Sequence, residues 1–236
     1  MTVTFDQDTW SFQLSNSSTV ERLTGQGRPD TLLNYSSIGD FMRLLADDEN
    51  DLFARLHGPI IDRISKSPIV AAWKAKRAHL KDLKHFPQYR RRAFDLYHDA
   101  ARAVAAGTAD EKQLALVEGL AGEIAQSQII IPAGQILFHG RADWLLAAQR
   151  PYPTFVSTSL HPVVARNRAF ARTGIDMKNG KPLVCVLELK APLPAMWGHV
   201  GKSQEYELLL TRNLTFKEVD RYAGTKFEVA HLDVTS

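Results

Sequence analysis

Close to the C-terminus the chain reads Ser203-Gln204-Glu205-Tyr206-Glu207-Leu208-Leu209-Leu210, a β-type run with two carboxylates two residues apart. Strand side chains alternate faces, so the spacing predicts Glu205 and Glu207 on one face and Tyr206, Leu208 and Leu210 on the other. Like charges side by side repel and add nothing to folding. Carboxylate pairs are, however, what glycosidases set against oxocarbenium-like charge. Two further motifs precede this run in a fixed order. Ile136-Leu137-Phe138-His139-Gly140-Arg141 is an apolar strand ending in a polar, glycine-broken tip. Phe155-Val156-Ser157-Thr158-Ser159-Leu160 carries three consecutive hydroxyls. Taken singly, each has an ordinary structural reading: a solvated strand edge, a partnered histidine, and a strand-to-helix junction with a capping serine.

The elements that must hold these residues follow from pattern. Strands are expected at about 129–131, 136–140, 154–158, 183–189, 205–210, 213–219 and 226–234, with a helix from about Pro162 to Arg172. Before them, from about Ile38 to Gln126, the pattern is helical. Pro68 and Pro87 suit first helical turns. Phe94, Tyr97, Ala101 and Val104 recur on one face, and Gly107 ends that helix. Thr108 with Glu111 reads as a capping box for a helix whose buried stripe is Leu114, Val117, Leu120 and Ile124. Helices first and mostly antiparallel strands after them predict an α+β fold. The expected organisation is a mobile leader over 1–34, a helical lobe over 35–128 and a sheet core over 129–236.

Composition bounds the function. The 236 residues are 44% hydrophobic and 23% charged, ordinary for a globular protein. No apolar run reaches the ~20 residues that span a bilayer, so no membrane partner is expected. The N-terminus lacks the charged and apolar regions of a cleavable signal. The single cysteine, Cys185, sits in an apolar strand and reads as a buried, inert thiol. Together these predict action in a reducing cytoplasm, of the producing cell or of a cell the protein is delivered into. Net charge is only +3. Eight cations nevertheless fall between Lys74 and Arg92 against Asp82 alone, either as a solvated helical face or as a docking surface for an acidic partner or nucleic acid. No metal-ligand spacing, Rossmann glycine pattern or P-loop occurs, so no metal is expected.

The ordered set of three motifs resembles the ADP-ribosyltransferase superfamily, in which an Arg-Gly or His-Gly strand tip, a Ser-Thr-Ser strand and an E-x-E strand line one NAD cleft. The resemblance runs from about Ile129 to the C-terminus. It implies a split antiparallel β-sheet core with an N-terminal helical lobe, and NAD as co-substrate. It implies that Glu207 is the catalytic carboxylate beside the ribose, that Glu205 orients and deprotonates the acceptor, and that Ser157 braces the catalytic Glu and the nicotinamide ribose. His139, Gly140, Arg141, Thr158 and Ser159 are then expected at the cofactor, with Arg166, Phe170 and Arg172 on the following helix where relatives keep a phosphate- and nicotinamide-contacting loop. Trp197 and Tyr206 are expected at the acceptor. Glu at position 205 goes, in the family, with arginine acceptors. His139 departs from the Arg-Gly form that usually accompanies Ser-Thr-Ser and E-x-E.

The resemblance therefore implies a mono-ADP-ribosyltransferase acting on protein arginine, of the bacterial or phage toxin or effector kind, with an immunity or antitoxin protein as a further partner. Transfer to RNA or DNA, NAD glycohydrolysis, and a degenerate binding module are the alternatives. Retention of both glutamates and Ser157 argues against the last.

Overall fold

The computed structural model describes residues 2–6, 11–15, 38–47, 58, 61, 64–65, 68–80, 82–140, 151–176, 181–198 and 206–236. Within the segment read as a leader, β1 (Thr2–Asp6) and β2 (Ser11–Ser15) pair as an antiparallel hairpin. Helix α1 (Ile38–Asp47) buries Phe41, Met42 and Leu45. Helix α2 (Pro68–His79) starts on its proline, whose missing N–H is no loss in a first turn. A short α3 (His85–Gln88) runs into a π-helical stretch, Tyr89–Ala93, and then into α4 (Phe94–Ala106). Gly107, at φ +70°, closes α4 in the left-handed conformation that glycine adopts freely.

Helix α5 (Glu111–Gln126) is capped two residues later than its sequence suggests. Asp110 and Gln113 form the reciprocal box, while the Thr108 hydroxyl donates back to the Ala103 carbonyl and so finishes α4 instead. Val117, Leu120 and Ile124 are buried as expected, but Leu114 is exposed and the buried residues include Glu123. Both oxygens of that buried carboxylate are used. Oε1 accepts from the backbone N–H groups of Lys84 and His85, at 2.7 and 2.8 Å, and Oε2 from that of Phe86, at 2.7 Å. Glu123 thus caps α3 from across the lobe, satisfying donors that a helix start leaves orphaned and placing a negative charge where the helix dipole favours it. Burial, with Glu123 nearby, pushes the Tyr97 phenol up to about 12, so it stays a neutral donor to Gln88 Oε1.

The strands β3 (Ile129–Ile131), β4 (Ile136–Gly140), β5 (Val156–Ser159), β6 (Leu183–Leu189), β7 (Leu193–Trp197), β8 (Glu207–Leu210), β9 (Thr215–Ala223) and β10 (Glu228–Thr235) form one sheet. Its order is β3-β7-β8-β5-β4-β6-β10-β9, antiparallel throughout except for β6 with β10. Helix α6 (Pro162–Asp176) follows β5 and packs on β4. The expected α+β class and antiparallel sheet are present. Strand β7 is not among the expected strands. The sheet is split in the physical sense: among the described residues β4 and β5 share one rung, Phe138 opposite Ser159. No helix of the described residues is long and apolar enough to cross a membrane.

Two apolar cores result. One lies among α1, α2, α6 and the sheet. The other joins Tyr89, Tyr97, Val117 and Leu120 of the helical lobe to Phe155, Met196 and Leu209 of the sheet. Residues opposite one another on adjacent strands share a face, and Ser157 stands opposite Leu209. Ser157 and, by alternation, Glu207 therefore face the lobe.

Because Glu123 terminates three backbone donors, Glu123→Ala is expected to lower the free energy of unfolding by about 3 kcal/mol. Glu123→Gln, which keeps acceptor oxygen at one position only, should recover part of this. Urea denaturation measures both. A loss below about 1 kcal/mol for the alanine variant would show that water replaces the carboxylate there.

Candidate functional site

A cleft of about 320 Å³ opens where β4 and β5 separate, and it collects most of the motif residues. The sheet supplies His139, Gly140, Ser157 and Glu207, the lobe supplies Tyr89, Arg90 and His98, and α6 supplies Arg168.

Strand β8 begins at Glu207. Tyr206 has φ +43°, so the extended backbone and its alternation start two residues later than the expected 205. A left-handed tyrosine costs on the order of 1–3 kcal/mol and persists only where its surroundings dictate it. Here the ring is buried edge-on to Trp197, with centroids 6.4 Å apart. The Tyr206 hydroxyl donates to the Ile61 carbonyl at 3.3 Å, and the Tyr206 carbonyl accepts from the Leu160 N–H at 3.2 Å. Trp197 and Tyr206 are 1% and 3% exposed. Both were expected to touch an acceptor, and both are instead core residues that anchor the turn delivering Glu207. Glu205 and Arg141 lie outside the described residues.

The Glu207 carboxylate is held from two sides. Its Oε2 lies 3.1 Å from Arg90 Nε, in a pair whose side chains are only 15% and 19% exposed. On the other side it lies over Gly198, where a Cβ would come within 2.6 Å of Oε2. Gly198 N–H also donates to the Glu207 carbonyl at 2.8 Å.

Ser157 Oγ is 3.3 Å from the Tyr89 hydroxyl, which is 3.1 Å from His98 Nε2. His139 Nδ1 meets the Ser157 carbonyl at 2.6 Å. A carbonyl only accepts, so Nδ1 carries the proton and Nε2 of the neutral ring is an acceptor. The other two hydroxyls of the motif have structural duties. Thr158 Oγ1 donates to the Leu208 carbonyl at 2.8 Å, tying β5 to β8, and Ser159 Oγ accepts from His161 N–H at 2.9 Å ahead of α6.

Gly140 is required for packing. A Cβ there would stand 1.6 Å from the Ala165 carbonyl oxygen, so α6 crosses β4 backbone to backbone. That contact also fixes which arginine of α6 reaches the cleft. Arg168 is three residues from Ala165, on nearly the same helical face, whereas Arg166 is rotated about 100° away. Arg166 instead stacks on Phe227, its guanidinium 4.6 Å from the ring centroid, and Phe170 is 71% exposed. With Lys226 they line a separate surface depression, so the expectation that Arg166 and Phe170 share the cleft with Ser157 is corrected.

Within the basic stretch Lys74–Arg92, three cations have partners among the described residues. Arg90 is committed to the cleft, Lys76 Nζ donates to the Gln128 carbonyl at 2.6 Å, and Arg77 covers the Phe86 ring. Away from the cleft, burial pushes the Cys185 thiol up to about 12, so it is inert as expected. Glu188, His231 and Asp233 form a compact His–carboxylate group among the described residues. The Lys190 ammonium already sits within it, 2.6 Å from Glu188 and 3.1 Å from Asp233. Burial holds the His231 imidazole below its ordinary value despite the Glu188 carboxylate.

The sequence reading missed Tyr89, Arg90, Phe94, His98 and Arg168. The first two were hidden in a cationic run and Phe94 in a core stripe. Arg168 had one usable signal, its spacing from the small residues Ala165 and Ala169 that let α6 approach Gly140.

No family model matches the chain, and no curated protein matches it significantly in sequence. Solved structures do match. The chain superposes on the C3 exoenzyme of Clostridium limosum with a TM-score of 0.53 and 18% identity, over 75% of this chain and 95% of that one. It matches the Vis toxin, an ADP-ribosyltransferase from Vibrio splendidus, with a TM-score of 0.50 and 14% identity, over 80% and 88%. An ADP-ribosyltransferase from Clostridium botulinum aligns with a TM-score of 0.50 and 14% identity, over 70% and 92%. The chain has the fold of these proteins, and the fold expected from its three motifs is thereby established.

Gly140→Ala should destabilise the protein by about 2 kcal/mol, since one backbone must retreat from another. Gly198→Ala should cost less, because the Glu207 side chain can turn aside. Thermal unfolding of the two variants compares them; equal, small losses would mean that α6 can shift freely on β4.

Proposed function

We propose that this protein is an NAD-dependent mono-ADP-ribosyltransferase that acts on a macromolecular acceptor through the cleft between β4 and β5. The observation that carries the reading is the convergence of Glu207, Ser157 and His139 with two guanidinium groups, Arg90 and Arg168, on one cleft of this fold.

Breaking the nicotinamide–ribose bond builds positive charge on the ribose. Glu207 lies in a partly dry site and meets that charge with a preoriented carboxylate, the arrangement that gives electrostatic catalysis its size. Ser157 steadies the carboxylate. His139, with Nδ1 tied to the Ser157 carbonyl, offers Nε2 to a ribose hydroxyl. The diphosphate needs cationic donors, and a guanidinium gives a bidentate grip that an imidazole cannot. Arg90 and Arg168 supply it, which offsets the replacement of the strand-tip Arg by His139. Arg90 holds Glu207 before NAD arrives and exchanges one anion for another when it does. Glu205 activates the acceptor, and its identity favours arginine, whose guanidinium becomes nucleophilic only beside a carboxylate. Likeness to bacterial toxins supports a toxin or effector role for this chain as well.

Incubation with labelled NAD and cell lysate tests the reading, with nicotinamide release and labelled acceptor followed separately. Glu207→Gln should reduce both by at least ~100-fold while the fold survives. Combined Arg90→Gln and Arg168→Gln should weaken NAD binding by at least ~10-fold, since each loses a charge-assisted contact. Protease-sensitive label, absent from lysate depleted of protein, is expected; nuclease-sensitive label would move the acceptor to nucleic acid. Wild-type turnover by folded Glu207→Gln would remove the assignment.

A further inference from the structure

The hydroxyl of Ser157 belongs to a chain of hydrogen bonds that begins in the helical lobe. His98 Nε2 is 3.1 Å from Tyr89 Oη, and Tyr89 Oη is 3.3 Å from Ser157 Oγ. His98 and Tyr89 are 6% and 4% exposed, so their polar atoms have little access to bulk water. The Tyr89 ring is fixed by edge contacts with Tyr97 and Phe155.

The backbone is bent to make this contact. Nine residues separate Tyr89 from His98, and in an uninterrupted α-helix residues so spaced lie about 13 Å apart along the axis, on opposite faces. The π-helical stretch Tyr89–Ala93, ending in Ala93 at φ −105° and ψ 13°, breaks the helix between them. Apolar residues at both positions would bury as much surface without that interruption or two desolvated polar groups.

Direction along the chain follows from proton count. A carboxylate accepts only, and each hydroxyl carries a single proton. For Ser157 to donate to Glu207, its oxygen must accept from Tyr89, and the Tyr89 oxygen must in turn accept from His98 Nε2–H. With the other histidine tautomer every bond reverses, and Ser157 would turn its lone pairs, instead of its proton, towards Glu207.

We propose that His98 is a positioning residue whose Nε2–H tautomer, relayed through the Tyr89 hydroxyl, orients the Ser157 proton towards Glu207. The inference rests on the cleft being the NAD site, and it assigns the lobe a part in the chemistry beyond covering the sheet. Neither residue touches the reacting atoms; both act through Ser157.

Two measurements on the full chain test it. Nitrogen-15 NMR of the histidine rings reads the tautomer without reference to activity. His98 should be protonated at Nε2 at neutral pH, with a signal that shifts in Tyr89→Phe; a proton on Nδ1 alone overturns the proposal. Steady-state NAD cleavage then supplies a double-mutant cycle. Tyr89→Phe should lower kcat about tenfold, one hydrogen bond's worth, and leave KM for NAD within about twofold. In a Ser157→Ala background the same change should have no further effect. His98→Gln, which keeps an amide N–H near the Nε2 position, should retain most of the rate that His98→Leu loses. Multiplicative losses in the cycle, or equal rates for the Gln and Leu variants, overturn the relay. Failure of the proposed function would look different: Glu207→Gln would keep wild-type turnover while the His98 tautomer remained as described.

Discussion

Everything in the cleft depends on β4 and β5 meeting at a single described rung, Phe138 opposite Ser159, and then parting. At that rung the two half-sheets join into one hydrogen-bonded sheet. Beyond it the backbone of β5 bonds sideways, its Ser157 carbonyl taking the His139 imidazole. The split therefore turns a strand that would be interior into the wall of a pocket, and it exposes Ser157 without leaving its main chain unsatisfied.

Two packed bodies then close the opening, each held by an interaction remote from the chemistry. From one side α6 is pinned by the Gly140 backbone, which presents Arg168. From the other, Glu123 gathers the N–H groups of 84, 85 and 86, so the next residues to emerge, Tyr89 and Arg90, arrive over Ser157 and Glu207. Glu207 itself is delivered by the left-handed turn at Tyr206, whose ring is locked in the core. Cleft residues from three separate stretches of chain are thus placed by a glycine contact, a buried carboxylate and a strained tyrosine.

Much of this was legible in the sequence wherever the signal was local. Strands at 129–131, 136–140 and 183–189 are largely apolar runs with clear ends, and Pro68 and Gly107 mark helix ends. The three motifs located the sheet side of the cleft by order alone. What failed was whatever a neighbour decides. Pro194 stands opposite Ile130 of β3 but beyond the last rung between β7 and β8, Ala195 opposite Leu210, so no ladder to β8 runs through it. The cap at Asp110 was obscured by an equally plausible Thr108. The choice of Arg168 over Arg166 depends on how α6 sits on β4, and the burial of Trp197 and Tyr206 depends on helices more than a hundred residues upstream. The lobe's polar contribution was unreadable for a further reason: a break in the helix pairs Tyr89 with His98 at a spacing that no regular period predicts.

The most direct test of the account is a crystal structure with a non-hydrolysable carbocyclic NAD analogue. It should show the nicotinamide ribose within hydrogen-bonding distance of Glu207 and Ser157, and the diphosphate against Arg90 and Arg168, with the Arg90–Glu207 ion pair opened. An analogue seated elsewhere, or one whose diphosphate leaves both guanidinium groups untouched and the ion pair closed, would contradict it.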